Sequence, residues 1–256
     1  MDFKNSTILL TGASSGIGYQ LAKDLASEGA RLALLSRRLD LLERLSLDID
    51  KKTFIRIYKC DVTIKNDVIE TIAQIKKDFG NIDIVILNSG IGHESSVLNY
   101  SSGAAENIFN TNVLGAVYCI EQVLPGFISD KRGVIVGISS LADSKGFSKS
   151  GFYTASKAAL TVLLESLRIE LKKYNVKVIT VKPGFVKTAM TDKNNFNMPF
   201  LMSVEKASDI ILKGIQKEKK IIEFPLVTSL AAKFLKFLPI SLFDYLASKE
   251  LKNNKK

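Results

Sequence analysis

The sequence has two cysteines, one histidine and no apolar run approaching the ~18–20 residues that span a bilayer. Each shortage removes a class of protein. Cys60 and Cys119 lie far apart, each among apolar residues, and are read as buried thiols of a reducing compartment rather than as a disulfide. A chain of 256 residues buries enough surface to fold without such a staple. With His93 as the sole histidine, no His-rich metal site can be assembled and no metal is expected. A hydrolase would have His93 as its only base, and no G-x-S-x-G elbow is present. The opening Met1-Asp2-Phe3-Lys4 lacks a secretory pattern, so a cytoplasmic protein is expected. Internal repeats, long low-complexity stretches and interior linkers are missing too.

What the sequence has in excess is positive charge, +10 in all, with eleven lysines against five acidic residues between 206 and 256. Contact with nucleic acid or an anionic membrane is one reading of such a bias. A solvated surface that suits a polyphosphorylated cofactor is the other. The lysines form no aromatic-interleaved patch, so no nucleic-acid partner is expected. A hydrophobic fraction of 46% and a charged fraction of 24% describe an ordinary globular chain.

Short runs rich in Ile, Leu and Val alternate with helix-period segments over the first two hundred residues. Strands are expected at 8–10, 32–35, 54–58, 82–87, 134–138 and 176–181, with helical stretches near 17–27, 39–49, 65–79, 104–124 and 152–173. Runs apolar on both faces fit a parallel sheet covered by helices on each side. The expected fold is α/β, one Rossmann-type domain over 1–256 with a doubly wound parallel sheet.

Thr11-Gly12-Ala13-Ser14-Ser15-Gly16-Ile17-Gly18 joins the first strand to the first helix. Glycine admits positive φ and close backbone approach, and a helix N-terminus offers unpaired N–H groups to a pyrophosphate. The G-x3-G-x-G spacing departs from the standard dinucleotide fingerprint. After the second strand comes Ser36-Arg37-Arg38, where an NAD-preferring domain places a carboxylate. A guanidinium can hold a ribose 2′-phosphate with two hydrogen bonds, so NADP(H) is favoured. Ser36 by itself would still admit NAD(H).

Tyr153 and Lys157 fall one helical turn apart in Gly151-Phe152-Tyr153-Thr154-Ala155-Ser156-Lys157. A phenol has a pKa near ~10, and a nearby ammonium would lower it toward acid–base use. Alone the pair is common on helix surfaces. Its context adds Ser139-Ser140 at the end of one strand and Pro183-Gly184-Phe185-Val186-Lys187-Thr188 at the end of another.

Together these segments resemble the short-chain dehydrogenase/reductase family over about residues 5–190. The glycine motif TGxxxGxG is intact, Asp61-Val62 matches the adenine-contacting position, and Asn88-Ser89-Gly90 keeps the Asn and Gly of an N-N-A-G motif. Asn112 matches the asparagine of the central helix, and Ser140 precedes Tyr153 by thirteen positions. The resemblance implies hydride transfer between a nicotinamide and a carbonyl or carbinol carbon. It gives Tyr153 the proton, Ser140 the substrate oxygen, Lys157 the ribose and the tyrosine pKa, and Asn112 a relay water. It also implies a cofactor held by Gly12, Ser14, Ser15, Gly16, Ile17, Gly18, Arg37, Arg38, Asp61, Val62, Asn88, Gly90, Tyr153, Lys157, Pro183, Gly184, Val186 and Thr188. Substrate contacts are expected from His93, Ser140, Phe147, Tyr153 and Phe185.

Past residue 190 the resemblance thins. Phe196, Met198, Pro199, Phe200 and Met202 suggest an apolar pocket or lid, or equally core packing. A last strand is expected at 220–225, then two helices at 226–238 and 241–251 in place of the family's D-G-G turn. They read either as a pocket closure or subunit contact in a homo-oligomer, or as a basic amphipathic surface for a membrane or lipid-like substrate. Function is read as NADP(H)-dependent reduction of a small carbonyl compound, against NAD(H)-dependent alcohol oxidation or cofactor binding without turnover.

Overall fold

The computed structural model describes residues 1–49, 53–92, 94–193 and 198–253, with the backbone alone for 249–253. Seven parallel strands form one sheet: β1 (Thr7–Thr11), β2 (Arg31–Ser36), β3 (Ile55–Lys59), β4 (Ile84–Leu87), β5 (Val134–Ile138), β6 (Lys177–Pro183) and β7 (Ile221–Phe224). Their order across the sheet is β3-β2-β1-β4-β5-β6-β7, so the direction of winding reverses between β1 and β4. A ligand crevice opens at that reversal, beyond the carboxyl ends of the strands.

Side chains alternate across a strand, and the sequence satisfies both faces at once. Ile8, Leu10, Leu32, Leu34, Ile84 and Ile86 join one core with helices α1 (Gly16–Ser27), α2 (Leu39–Asp48) and α7 (Val204–Gln216). Leu9, Ala33, Leu35, Val85 and Leu87 join the other, against α3 (Lys65–Phe79), α5 (Gly115–Ser129) and α6 (Gly151–Glu170). The doubly wound sheet expected from the apolar runs is therefore the architecture found, and it forms a single domain.

The stretch expected to be helical at 104–124 spans more. It opens with α4 (Ser102–Phe109), capped where Ser101 Oγ accepts from Ala104 N at 3.4 Å, and continues through a wide π turn at Asn110–Leu114 into α5. The chain closes with α8 (Leu226–Phe237) and α9 (Ile240–Asn253), separated at Leu238-Pro239.

Candidate active site

The turn after β1 is held open by its own backbone. Gly12 has φ +66°, a left-handed conformation that favours glycine. Gly18 lets α1 approach the turn, since a Cβ there would lie 2.3 Å from Gly12 O. Ser15 caps α1 in position but makes no side-chain cap bond to its first N–H groups, and Gly16 and Ile17 of that first turn line the crevice. Its hydroxyl is engaged elsewhere. Arg38 Nη2 donates to Ser15 Oγ at 2.7 Å and to Ser14 Oγ at 2.8 Å, and Arg38 Nε donates to Ser14 Oγ at 3.2 Å. Ser36 Oγ also donates to Ser14 Oγ, at 2.8 Å, so Ser14 keeps its own proton for another acceptor.

Arg37 sits differently. It is mostly exposed and pairs with Asp61, Nη1 to Oδ2 at 3.7 Å. Asp61 also accepts from Thr63 N and Thr63 Oγ1, while Val62 lines the crevice wall. The ends of β1 and β4 are knitted by Thr11, whose Oγ1 accepts from Asn88 N and Ser89 N, both at 3.0 Å. Asn88 Nδ2 returns bonds to Thr11 O and Gly12 O at 3.1 Å.

On the other side of the crevice, β5 ends at Ser139-Ser140 and α6 presents Tyr153 and Lys157. Lys157 is 5% exposed, and its Nζ donates to Ile138 O at 2.8 Å while lying 5.8 Å from the Tyr153 ring centroid. Burial pushes the lysine pKa down to about 8. Tyr153 is only partly covered, because its ring borders the open crevice, yet the atoms crowding its phenol desolvate it. That burial raises the phenol pKa, and a hydrogen bond with Ser140 works in the opposite direction. The sequence pointed to the lysine as the group that lowers the tyrosine pKa; in the structure the lowering influence is the Ser140 hydrogen bond.

Asn112 occupies the π turn before α5. Its Oδ1 accepts from Ile91 N at 2.8 Å, and its Nδ2 donates to Ile91 O and Ser156 Oγ, both at 3.0 Å. The amide thus fastens the loop after β4 to α6. A further polar chain crosses beneath the site. Ser139 Oγ contacts Lys157 O at 3.0 Å and Thr161 Oγ1 at 2.7 Å, Thr161 Oγ1 donates to Asp143 Oδ2 at 2.6 Å, and Lys182 pairs with the same Oδ2 at 2.9 Å. One carboxylate therefore ties the Ser140 turn to α6 and to β6.

The crevice, about 470 Å³, brings together Gly12, Ser14, Ser15, Gly16, Ile17, Arg37, Arg38, Val62, Asn88, Gly90, Ser140, Tyr153, Lys157, Pro183, Gly184, Val186 and Thr188. Gly18, Asp61 and Asn112 stand behind this lining. Phe185 is also outside it, and Phe147 packs on Phe243 of α9 with ring centroids 6.2 Å apart. His93 and Phe196 fall outside the described residues. Met202 is core, bridging to Val186, whereas Met190 and Gly92 line the crevice near Tyr153. Thr11, Ser156, Ile138 and Asp143 were missed by sequence reasoning. Thr11 lay within the glycine motif, but carbonyl, hydroxyl and carboxylate partners across the fold leave no local signal. A larger groove, about 670 Å³, lies between α5 and the end of α6 and contains none of these residues.

Residues 6–198 match the family model described as short chain dehydrogenase. The chain belongs to the short-chain dehydrogenase family. It is an oxidoreductase of that family, which acts with NAD(P). An uncharacterized oxidoreductase of Myxococcus xanthus is 37% identical over 239 residues, 93% of this dehydrogenase and 94% of that protein. A short chain dehydrogenase/reductase from Burkholderia phymatum, solved in complex with NAD, shares the fold with a TM-score of 0.83 at 20% identity, covering 91% of this chain and 93% of that one. ElxO, solved with NADP bound, superposes with a TM-score of 0.76 at 25% identity, covering 86% and 97%. Among the described residues, no helix is long and apolar enough to cross a membrane.

Proposed function

We propose that this dehydrogenase is an NADP(H)-dependent reductase of a small apolar carbonyl compound, with Tyr153 as its proton donor. The observation that carries this reading is the placement of Ser140, Tyr153 and Lys157 in the same crevice as the glycine turn. The cradle fits a dinucleotide: open N–H groups on α1, a free Ser14 proton, and no carboxylate at the end of β2. The cofactor supplies the hydride. Gly12, Gly16 and Ile17 would take the pyrophosphate on backbone N–H groups, and Arg38, whose Nε and Nη2 are held by Ser14 and Ser15, would meet the 2′-phosphate through Nη1. Asn88, Gly90, Pro183, Gly184, Val186 and Thr188 would complete the cofactor's walls, with Asp61 and Val62 at the adenine.

The chain's own residues handle the proton. Tyr153 Oη gives a proton to the substrate oxygen in reduction and removes it in oxidation. Ser140 Oγ holds the same oxygen and supports its developing charge. Lys157 binds the ribose and, when protonated, favours the phenolate. Asn112 has both amide N–H groups committed, so only its acceptor capacity remains for a relay water. Met190 and Gly92 give the substrate an apolar wall.

Cofactor choice follows from Arg38 and from the missing carboxylate. NADPH is expected to bind at least about tenfold more tightly than NADH in fluorescence titrations. Equal affinities would remove the arginine argument and return the chain to an NAD(H)-linked alcohol dehydrogenase.

A further inference from the structure

Helix α8 turns most of its large apolar side chains away from the core. Amphipathic helices bury their apolar stripe. Here the inward side is small and mixed: Ser229 is buried and donates to Glu223 Oε2 of β7 at 2.7 Å, Ala232 and Leu235 are half-buried beside it, and the exposed Lys233 reaches over to pair with the same carboxylate. These contacts fix the roll of the helix, and the roll sends its apolar residues outward. Leu226, Leu230, Phe234 and Phe237 recur at spacings of four, four and three, so they share one face, and all four are exposed. Phe234 is 67% exposed and Phe237 84%. Ile240 and Leu242 extend the exposed apolar surface into α9.

The charges around this face are mostly positive, although Lys233 is already paired with Glu223. From Pro225 to Phe243 there are two lysines and no acidic residue, and from 225 to 256 six lysines against two acidic residues. Lys236 is exposed on α8, and Lys145, from the turn after Ser140, lies 5.0 Å over the Phe243 ring. A second copy of this chain would bring a like-charged segment against this one, with little acid to neutralise either. An apolar stripe with cations at its border instead matches acyl chains beneath anionic headgroups.

We propose that the outward faces of α8 and α9 form a docking surface for a bilayer containing anionic phospholipid. The surface adjoins the catalytic side of the molecule, because Phe147 in the loop before α6 packs against Phe243 of α9.

The test is co-sedimentation of the full chain with vesicles of phosphatidylglycerol and phosphatidylcholine, against vesicles of phosphatidylcholine alone. The protein is expected to sediment with the anionic vesicles, less with the neutral ones, and less again at high salt. Phe234→Ser combined with Phe237→Ser should weaken partitioning roughly tenfold or more while leaving the melting temperature unchanged, since neither side chain is in the core. Lys236→Glu should weaken binding to the anionic vesicles selectively. Failure to sediment with anionic vesicles overturns the proposal, as does wild-type binding by the double phenylalanine variant. A concentration-dependent dimer that these substitutions abolish, with no vesicle binding, would assign the face to a second copy instead. The assay reads lipid binding and not turnover, so its result is separate from the assignment of Tyr153.

Discussion

Lys157 is a cation held almost wholly out of water, and the fold bears a cost for keeping it there. Its usual pKa is 10.5, and burial brings the folded value down to about 8. Between those two values the unfolded chain binds the extra proton, so stability rises with pH through that window. Below about 8 the cost is present in full, and by 10.5 it is relieved. For a shift of this size the cost is roughly 3 kcal/mol. Lys157→Met removes the charge, so its stability relative to the wild type should be most favourable near neutrality and should shrink toward pH 10.5. Urea titrations of both cofactor-free proteins across that range check this, and a pH-independent difference would contradict it. The lysine thus reads as a residue retained against stability, as expected where charge is needed for chemistry.

At the scale of elements, the site depends on how two helices begin. Helix α1 reaches its turn only because residue 18 has no side chain. A Cβ on Gly18 would fall 2.3 Å from Gly12 O and 2.4 Å from Asn88 Nδ2. Gly18→Ala must therefore push α1 away or open the turn, with an expected loss of about 1–3 kcal/mol and weaker NADPH binding. Gly103→Ala in α4 is the control, because a Cβ there meets only Ser101 Oγ at 3.7 Å. It should stabilise the chain by roughly 0.5–1 kcal/mol and leave binding unchanged. Chemical denaturation with NADPH titration distinguishes the pair; equal effects would mean that the close approach does not matter. The other helix is α5, entered through the π turn that carries Asn112. A π turn inserts a residue into the helical ladder, and such insertions cluster at functional sites. Nothing in the periodicity of 104–124 announced it, because hydrophobic spacing tolerates one extra residue inside a long amphipathic stretch.

Across the whole molecule, what the sequence disclosed is what repeats locally. Apolar runs such as Leu32–Leu35 and Val134–Ile138 carry their burial on both faces in their composition, so the parallel sheet could be read from them. The glycine turn, Ser140, Tyr153 and Lys157 were legible because their order along the chain matches a known pattern. What escaped depends on contacts between distant segments. The Asp143 carboxylate joining Thr161 to Lys182 spans three elements, and the outward roll of α8 is set by Glu223 on a neighbouring strand. Phe147, expected to touch the substrate, packs on Phe243 of α9, a contact that no local pattern announces.

The assignment as a whole rests on Tyr153 moving a proton at a reacting oxygen. The measurement that bears on it is NADPH oxidation, by wild type and by Tyr153→Phe, across ketones, aldehydes, steroids, sugars and 3-oxoacyl thioesters, with NADPH affinity measured in parallel. The wild type should consume NADPH with at least one class of carbonyl. Tyr153→Phe should bind NADPH as tightly and turn over at least about a hundredfold more slowly, the scale of a lost general acid. Unchanged turnover in Tyr153→Phe would contradict the assignment.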